Sequence, residues 1–265
     1  MLTRILTALV AIPLALFVIL TPLSWPLLAV FAAILVSGGL EIARLLNSRG
    51  LIPLALGGSL VAVAAIKAPL ELVPSLILGG WAIGTIGLAC NLQARWVRSA
   101  LLGAWLGSGL LACYALHDLV PVEFLGYGNG LVLAVIPLWV GDSAAYFVGK
   151  AVGRRLLAPK ISPSKTVEGS VANLIGCLIA AFAIGRYSGL PWSVSLAFGL
   201  STGLFGQVGD LLQSKLKRDA GVKDSGGLLP GHGGILDRLD SLLYSAPISL
   251  WCAILFASSM FHVKP

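Results

Sequence analysis

Apolar residues run almost unbroken along this chain, parted only by short polar breaks. Nine such runs can be drawn, at about 4–21, 25–46, 51–68, 70–90, 98–116, 130–150, 167–189, 191–214 and 238–261. A helix of roughly 20 apolar residues crosses a bilayer core of about 30 Å, so each run is long enough to be a span. The first run, with Arg4 ahead of it, has an apolar core longer than the ~7–15 residues of a signal peptide, and a second run follows at once. It is therefore expected to be a true first span. No low-complexity tract, soluble domain or internal repeat interrupts the pattern. It predicts an all-α integral membrane protein of about nine transmembrane helices.

Composition agrees. Of the 265 residues 57% are hydrophobic and only 11% charged, against roughly 25% charged in soluble domains, and mean hydropathy is +0.94. So few charges could hardly build a water-facing surface. On the nine-span reading, fifteen of the 18 Lys and Arg fall in loops of one side; Lys67, Arg186 and Lys264 fall on the other. The positive-inside rule makes the first side cytoplasmic, with the N-terminus inside and the C-terminus outside. Arg44, Arg49, Arg95 and Arg98 need no more than this topogenic role. Cys90, Cys113, Cys177 and Cys252 stand singly in apolar runs without ligand spacing, and are expected to be buried small hydrophobes.

The charges are uneven along the chain. Residues 142–240 hold seven of the 11 acidic residues and eleven of the 18 basic ones. Residues 1–129 therefore read as helical scaffold and 130–265 as the part that carries a site. Asp142 lies deep in the sixth run, where a carboxylate costs at least ~2.5–3.5 kcal/mol, so a functional role is expected. At 100° per residue it shares a helical face with Tyr146, Gly149 and Gly153. Asp210 shares one with Gly199, Gly203, Gly206 and Lys217; the glycines allow close helix approach and draw the acid inward. Lys215, Lys217 and Arg218 follow at the cytoplasmic edge. An acid in a cavity with cations at its mouth suits cation transport as readily as catalysis.

The segment KDSGGLLPGHGGILDRLDS, residues 223–241, is a polar island. Asp237 and Asp240 are spaced i, i+3, neighbours on a helix. Ahead of them GGLLPGHGG offers backbone N–H groups with no Cβ in the way, which suits phosphate oxygens before a helix N-terminus. Carboxylates beside phosphates suit Mg²⁺. Together these features describe a nucleotide or pyrophosphate site. In the loop after the sixth run, SKT ends like a P-loop, but GxxxxGK[ST] is not completed. Lys165 and the neighbouring hydroxyls remain as individual phosphate donors. Glu168 suits a helix start and a ligand equally.

Residues 214–241, SKLKRDAGVKDSGGLLPGHGGILDRLDS, resemble the signature of the phosphatidate cytidylyltransferases, or CDP-diacylglycerol synthases. The matching positions are Ser214, Lys217, Arg218, Lys223, Asp224, Pro230, Gly231, His232, Gly233, Gly234, Asp237, Arg238 and Asp240. SPSKTVEG (162–169) and GDSAAYFVGKAVG (141–153) resemble the family's upstream blocks, so the resemblance covers about 141–241 without departure. It implies nine helices in the cell (cytoplasmic) membrane, often as a dimer, around a polar cavity open to cytoplasm and lipid. It implies the reaction of CTP with phosphatidate to give CDP-diacylglycerol and pyrophosphate, using Mg²⁺ and in some members K⁺.

By motif position the resemblance maps metal ligation to Asp210 and Asp237. It implies catalytic roles for Lys165, Lys217, Arg218, Lys223, Asp224, His232, Arg238 and Asp240. Asp142, Ser164, Lys165, Thr166, Glu168, Ser214, Gly231, Gly233 and Gly234 are implied to bind substrate. His232 could act as a base, but a phosphate-donor or loop-ordering role is preferred. No nucleic-acid partner is expected.

The chemistry is consistent with these residues. A phosphate monoester with its second pKa near ~6 is already nucleophilic, so no Ser-His-Asp triad is needed. Bringing two anions together is the obstacle, and metal ions with Lys and Arg would remove it. A lone carboxylate near other acids should gain nothing without its cation, so Asn at 210 or 237 is expected not to lower stability. The rivals are a CTP-dependent polyprenol- or phytol-type kinase, which would yield CDP, and an ion-coupled transporter. A CDP-alcohol phosphotransferase would need a DG-x-x-AR arrangement that is absent. A cysteine placed near Lys264 should label from outside the membrane; labelling from the cytoplasmic side alone would overturn the orientation.

Overall fold

A computed structural model describes residues 2–21, 23–47, 73–120, 122, 129–228 and 233–256. Its helices are α1 (Leu2–Leu20), α2 (Ser24–Leu45), α3 (Val73–Ala89), α4 (Arg95–Leu119), α5 (Leu131–Val152), α6 (Val167–Tyr187), α7 (Trp192–Leu200), α8 (Gly206–Asp219) and α9 (Leu236–Leu255). The expected third span, 51–68, lies outside the described residues. Among those described, α2, α4, α5 and α6 are long and apolar enough to cross a membrane, and α3 is a shorter apolar helix. The protein is thus a helical membrane protein.

Two features depart from a plain helical reading. The eighth run is not one regular helix: a π-helical turn, Ser201–Phe205, joins α7 to α8. Between α5 and α6 a hairpin forms, with β1 (Leu156–Ala158) antiparallel to β2 (Ser162–Thr166). Pro159 and Pro163 cannot donate helical hydrogen bonds, which keeps this stretch extended. The Val167 N–H donates to the Arg155 carbonyl at 2.8 Å, so the hairpin runs straight into α6.

The centre of the bundle is α4, whose apolar window is 78% buried, against 39–44% in the other three long helices. Trp105, Leu102 and Leu106 on α4 meet Ile42 of α2, Leu216 of α8 and Leu236 and Leu243 of α9 in one apolar cluster. Leu111–Leu116 meet Leu131–Val135 of α5 and Phe198 of α7 in another. Arg98 does more than fix topology. It is buried and donates to the Gly87 carbonyl at 3.0 Å, Asn91 Oδ1 at 2.9 Å and Asp219 Oδ2 at 2.9 Å, pinning the end of α8. Cys113 and Cys177 are buried as expected, whereas Cys90 is exposed past the end of α3.

Small residues set the helix spacing. A Cβ on Gly176 of α6 would stand 3.1 Å from Gly141 Cα of α5. The expected glycine face of the eighth run is divided by the π turn. Gly199 and Gly203 abut Leu178 and Leu174 of α6, while Gly206 abuts Leu138 of α5 and Gly209 abuts Tyr244 and Asp240 of α9. A Cβ at Gly209 would lie 2.9 Å from the Asp240 carbonyl, against backbone that cannot yield cheaply. Gly209→Ala should therefore cost about 1–3 kcal/mol by overpacking. Thermal unfolding in detergent checks this, and an unchanged midpoint would mean that α8 and α9 are not tightly apposed.

Candidate functional site

The ends of α5, α6 and α8 and strand β2 enclose a cavity of about 490 Å³. Asp142, Ser164, Lys165, Thr166, Asn173, Gln207, Asp210 and Ser241 are among its lining residues. Each is placed by its element. Asp142 projects from α5 one residue after the Gly141 contact, and Asn173 Nδ2 donates to its Oδ1 at 3.0 Å. Gln207 follows the π turn; its amide donates to the Gly203 carbonyl at 2.6 Å and the Ser170 carbonyl at 3.2 Å, tying the turn to α6. Thr166 caps α6 by accepting the Gly169 N–H at 3.1 Å. The hairpin carries Lys165 across the cavity to form an ion pair with Asp210. Ser214 Oγ donates to Asp210 Oδ1 at 3.4 Å from the next helical turn.

A second ion pair lies deeper. Lys217 Nζ donates to Asp237 Oδ1 at 2.7 Å, and their side chains are only 11% and 7% exposed. Asp237 Oδ2 accepts the N–H of Ser225 at 2.8 Å and of Gly234 at 2.9 Å. Gly221 ends α8 with φ +72°, and the N–H of Val222 returns to the Lys217 carbonyl at 2.9 Å, a Schellman closure that turns the chain into this loop. Gly233 has φ +81°, and a Cβ there would meet Asp237 Oδ2 at 2.8 Å, so both its backbone and its space demand glycine. Asp224 lies across from it, 3.5 Å from that Cβ position.

Asp240, buried on α9, links the two pairs. It feels the charge of Asp210 and, in opposition, those of Lys217 and Lys165. Asp210 bears likewise on Asp142, again opposed by Lys165. Four carboxylates, Asp142, Asp210, Asp237 and Asp240, and two ammonium groups, Lys165 and Lys217, therefore share one electrostatic neighbourhood. In a low-dielectric setting the buried ones among them, Lys217, Asp237 and Asp240, could not be buried alone.

Other expected site residues have different surroundings. Arg218 is exposed and spans from the hairpin to the loop, donating to the Ile161 and Val222 carbonyls at 3.2 Å each. Lys223 and Arg238 are exposed. Glu168 ties the end of α5 to the start of α6: its Oε2 accepts the N–H groups of Arg154 at 3.1 Å and Arg155 at 3.3 Å. Gly231 and His232 lie outside the described residues. The backbone donors expected for phosphate are partly engaged already. Gly234 N–H goes to Asp237, and the N–H groups of Ile235 and Leu236 go to Glu41 of α2 at 2.8 and 3.1 Å. That part of the α9 N-terminus is occupied by carboxylates.

Sequence reasoning missed Glu41, Asn173, Gln207 and Ser225. For Glu41 a signal existed: it is an acid inside an apolar run, the criterion that singled out Asp142. Among the described residues no three His, Cys, Asp or Glu side chains form a ready metal cluster. Each expected metal carboxylate instead holds an ammonium.

The family model for cytidylyltransferases matches residues 2–256, nearly the whole chain. The chain belongs to the cytidylyltransferase family. A phosphatidate cytidylyltransferase of Bacillus subtilis (strain 168) is 47% identical over 126 residues, 47% of each chain. One of Staphylococcus aureus (strain COL) is 40% identical over 147 residues, 55% of this chain and 54% of that protein. One of Synechocystis sp. is 38% identical over 182 residues, 68% of this chain and 56% of that protein. The chain thus spans about half the length of the curated relatives it matches. Family membership also extends to the first half, where the sequence by itself reads only as generic spans.

The Lys217–Asp237 pair corrects the expected effect of Asn at 237. Asp237 is no lone carboxylate, and neutralising it strands a buried ammonium. Asp237→Asn should cost about 3–5 kcal/mol of stability. Adding Lys217→Met should restore most of it. Melting curves of the two variants in detergent decide this, and a stable Asp237→Asn protein would refute the pairing.

Proposed function

We propose that this protein transfers the cytidylyl group of CTP to phosphatidate, giving CDP-diacylglycerol and pyrophosphate. One observation carries the reading: two lysine–carboxylate pairs, Lys165–Asp210 and Lys217–Asp237, flank buried Asp240 beside the cavity of a cytidylyltransferase-family chain. Likeness to the relatives named above supports it. A phosphate oxygen of phosphatidate attacks the α-phosphorus of CTP, the bond to the bridging oxygen breaks, and pyrophosphate leaves.

Lys165 and Lys217 supply positive charge where the two anions must meet. Each ammonium sits against a carboxylate, in a position a metal cation could equally occupy. The donor set fits a hard ion: Asp210 and Asp237 would hold Mg²⁺, with K⁺ as a second candidate, and Asp142 and Asp240 add negative charge nearby. When bound, Mg²⁺ supplies charge neutralisation at the nucleotide phosphates and the leaving pyrophosphate. The lysines, moved from carboxylate to phosphate oxygens, hold the reacting groups in line. Arg218, Lys223 and Arg238 provide further cations at the rim.

The same reading places nine spans in the cytoplasmic membrane with the cavity open to the cytoplasm and to lipid, residues 1–129 as scaffold, 130–265 as the site-bearing part, and a homodimer as the assembly. Purified protein given labelled CTP, Mg²⁺ and phosphatidate should release pyrophosphate and form CDP-diacylglycerol. CDP as the product would point to a lipid kinase instead, and no turnover would sink the enzymatic reading. Lys165→Ala, whose pair with Asp210 has side chains 28% and 34% exposed and is worth about 0–1 kcal/mol to folding, should keep its melting point. It should lose about tenfold or more in turnover.

A further inference from the structure

Glu41 belongs to α2, in the half of the chain with few charges, yet it is buried against the polar loop. Its Oε2 accepts the Ser225 hydroxyl at 2.7 Å and the Leu236 N–H at 3.1 Å, while Oε1 accepts the Ile235 N–H at 2.8 Å. These partners lie 184 to 195 residues away along the chain. A Cβ on Gly226 would stand 2.7 Å from Oε1, and one on Gly234 would stand 2.5 Å from Oε2. The loop is thus folded around this one carboxylate.

Ser225 belongs to two contacts at once. Its hydroxyl is held by Glu41, and its N–H is held by Asp237. Asp237 in turn holds the Lys217 ammonium. Glu41, Ser225, Asp237 and Lys217 form a continuous chain of hydrogen bonds, so a displacement at Glu41 is passed to a cation of the site. Glu41 also occupies the first free N–H groups of α9, where the helix dipole and open donors attract anions. With that place filled by a fixed carboxylate, a nucleotide phosphate is turned toward the lysines and arginines.

We propose that Glu41 is a positioning residue of the nucleotide site, setting the place of Lys217 through Ser225 and Asp237 and excluding phosphate from the N-terminus of α9. This rests on the function proposed above. A glutamine at 41 keeps the shape but presents an amide NH₂ where an acceptor is required. Whichever way it is turned, a backbone N–H of Ile235 or Leu236 loses its partner.

The test uses the full chain in nanodiscs, with wild type, Glu41→Gln, Ser225→Ala and the double variant. Glu41→Gln should raise KM for CTP about tenfold and leave KM for phosphatidate within about twofold. Amide exchange at Ile235 and Leu236 should accelerate. The effect of Ser225→Ala on KM for CTP should be smaller and, in the double variant, less than additive, since both act along one chain of contacts. A purely structural Glu41 would lower the melting point and the active fraction with KM unchanged, which overturns the proposal. Faster exchange with an unaltered KM for CTP also overturns it, by separating the loop from the nucleotide. Wild-type protein without CTP turnover would instead remove the functional reading on which it rests.

Discussion

A carboxylate paired inside a membrane protein needs its remaining lone pairs met or it is a liability, and in the Lys217–Asp237 pair the backbone meets those of Asp237. Taking both charges out of water costs several kcal/mol per ion unless every remaining lone pair and proton finds a partner. Asp237 meets this condition only because the chain doubles back to present two N–H groups, from Ser225 and Gly234. That path requires the reversal at Gly221 and the positive φ of Gly233. It also leaves further N–H groups at the head of α9, which Glu41 satisfies from across the bundle. The polar loop is thus held to the membrane helices by carboxylates at both ends.

Much of this architecture could be read from the chain. Eight of the nine apolar runs correspond to helices, and hydrophobic length suffices for that because a bilayer leaves few other options. A functional role for Asp142 was expected from the cost of an acid in an apolar run and an inward place for Asp210 from its glycine face; both line the cavity. Pairing did not follow. Nothing in the spacing of Lys165 and Asp210, or of Lys217 and Asp237, says which ammonium meets which carboxylate; tertiary packing decides it. The hairpin escaped because its strands have three and five residues, too short to establish a period against the apolar background. Glu41 escaped for a different reason: its partners are distant in sequence, and it was passed over among the scaffold helices.

The division into scaffold and site therefore needs qualification. By composition residues 1–129 are nearly inert, yet α2 contributes Glu41 to the loop and α4 contributes Arg98, which grips Asp219 at the end of α8. The two contacts fix the two ends of the polar loop that follows Lys217, Arg98 at Asp219 and Glu41 at Ser225, Ile235 and Leu236. Among the few charged side chains of the first half, Glu41 and Arg98 thus have mechanical tasks. They hold the loop from outside the half that carries it, beside the contacts it receives from Asp237 and Arg218.

The π turn at Ser201–Phe205 acts as a phase shift in a screw. A wide turn accommodates one residue beyond the regular count, so everything after it is rotated by about 100° relative to an uninterrupted helix. Gly199 before the turn and Gly203 within it face α6; after it, Gly206 and Gly209 face α5 and α9. The shift thus lets one continuous rod serve two different neighbours in succession. It also makes residue number in this stretch more binding than residue type. A conservative substitution at Leu204, which is exposed, leaves the phase intact, whereas loss of a single residue there would wind the helix back and point Asp210 away from Lys165. Among cousins of this chain, length between Gly199 and Asp210 should be guarded more closely than spelling.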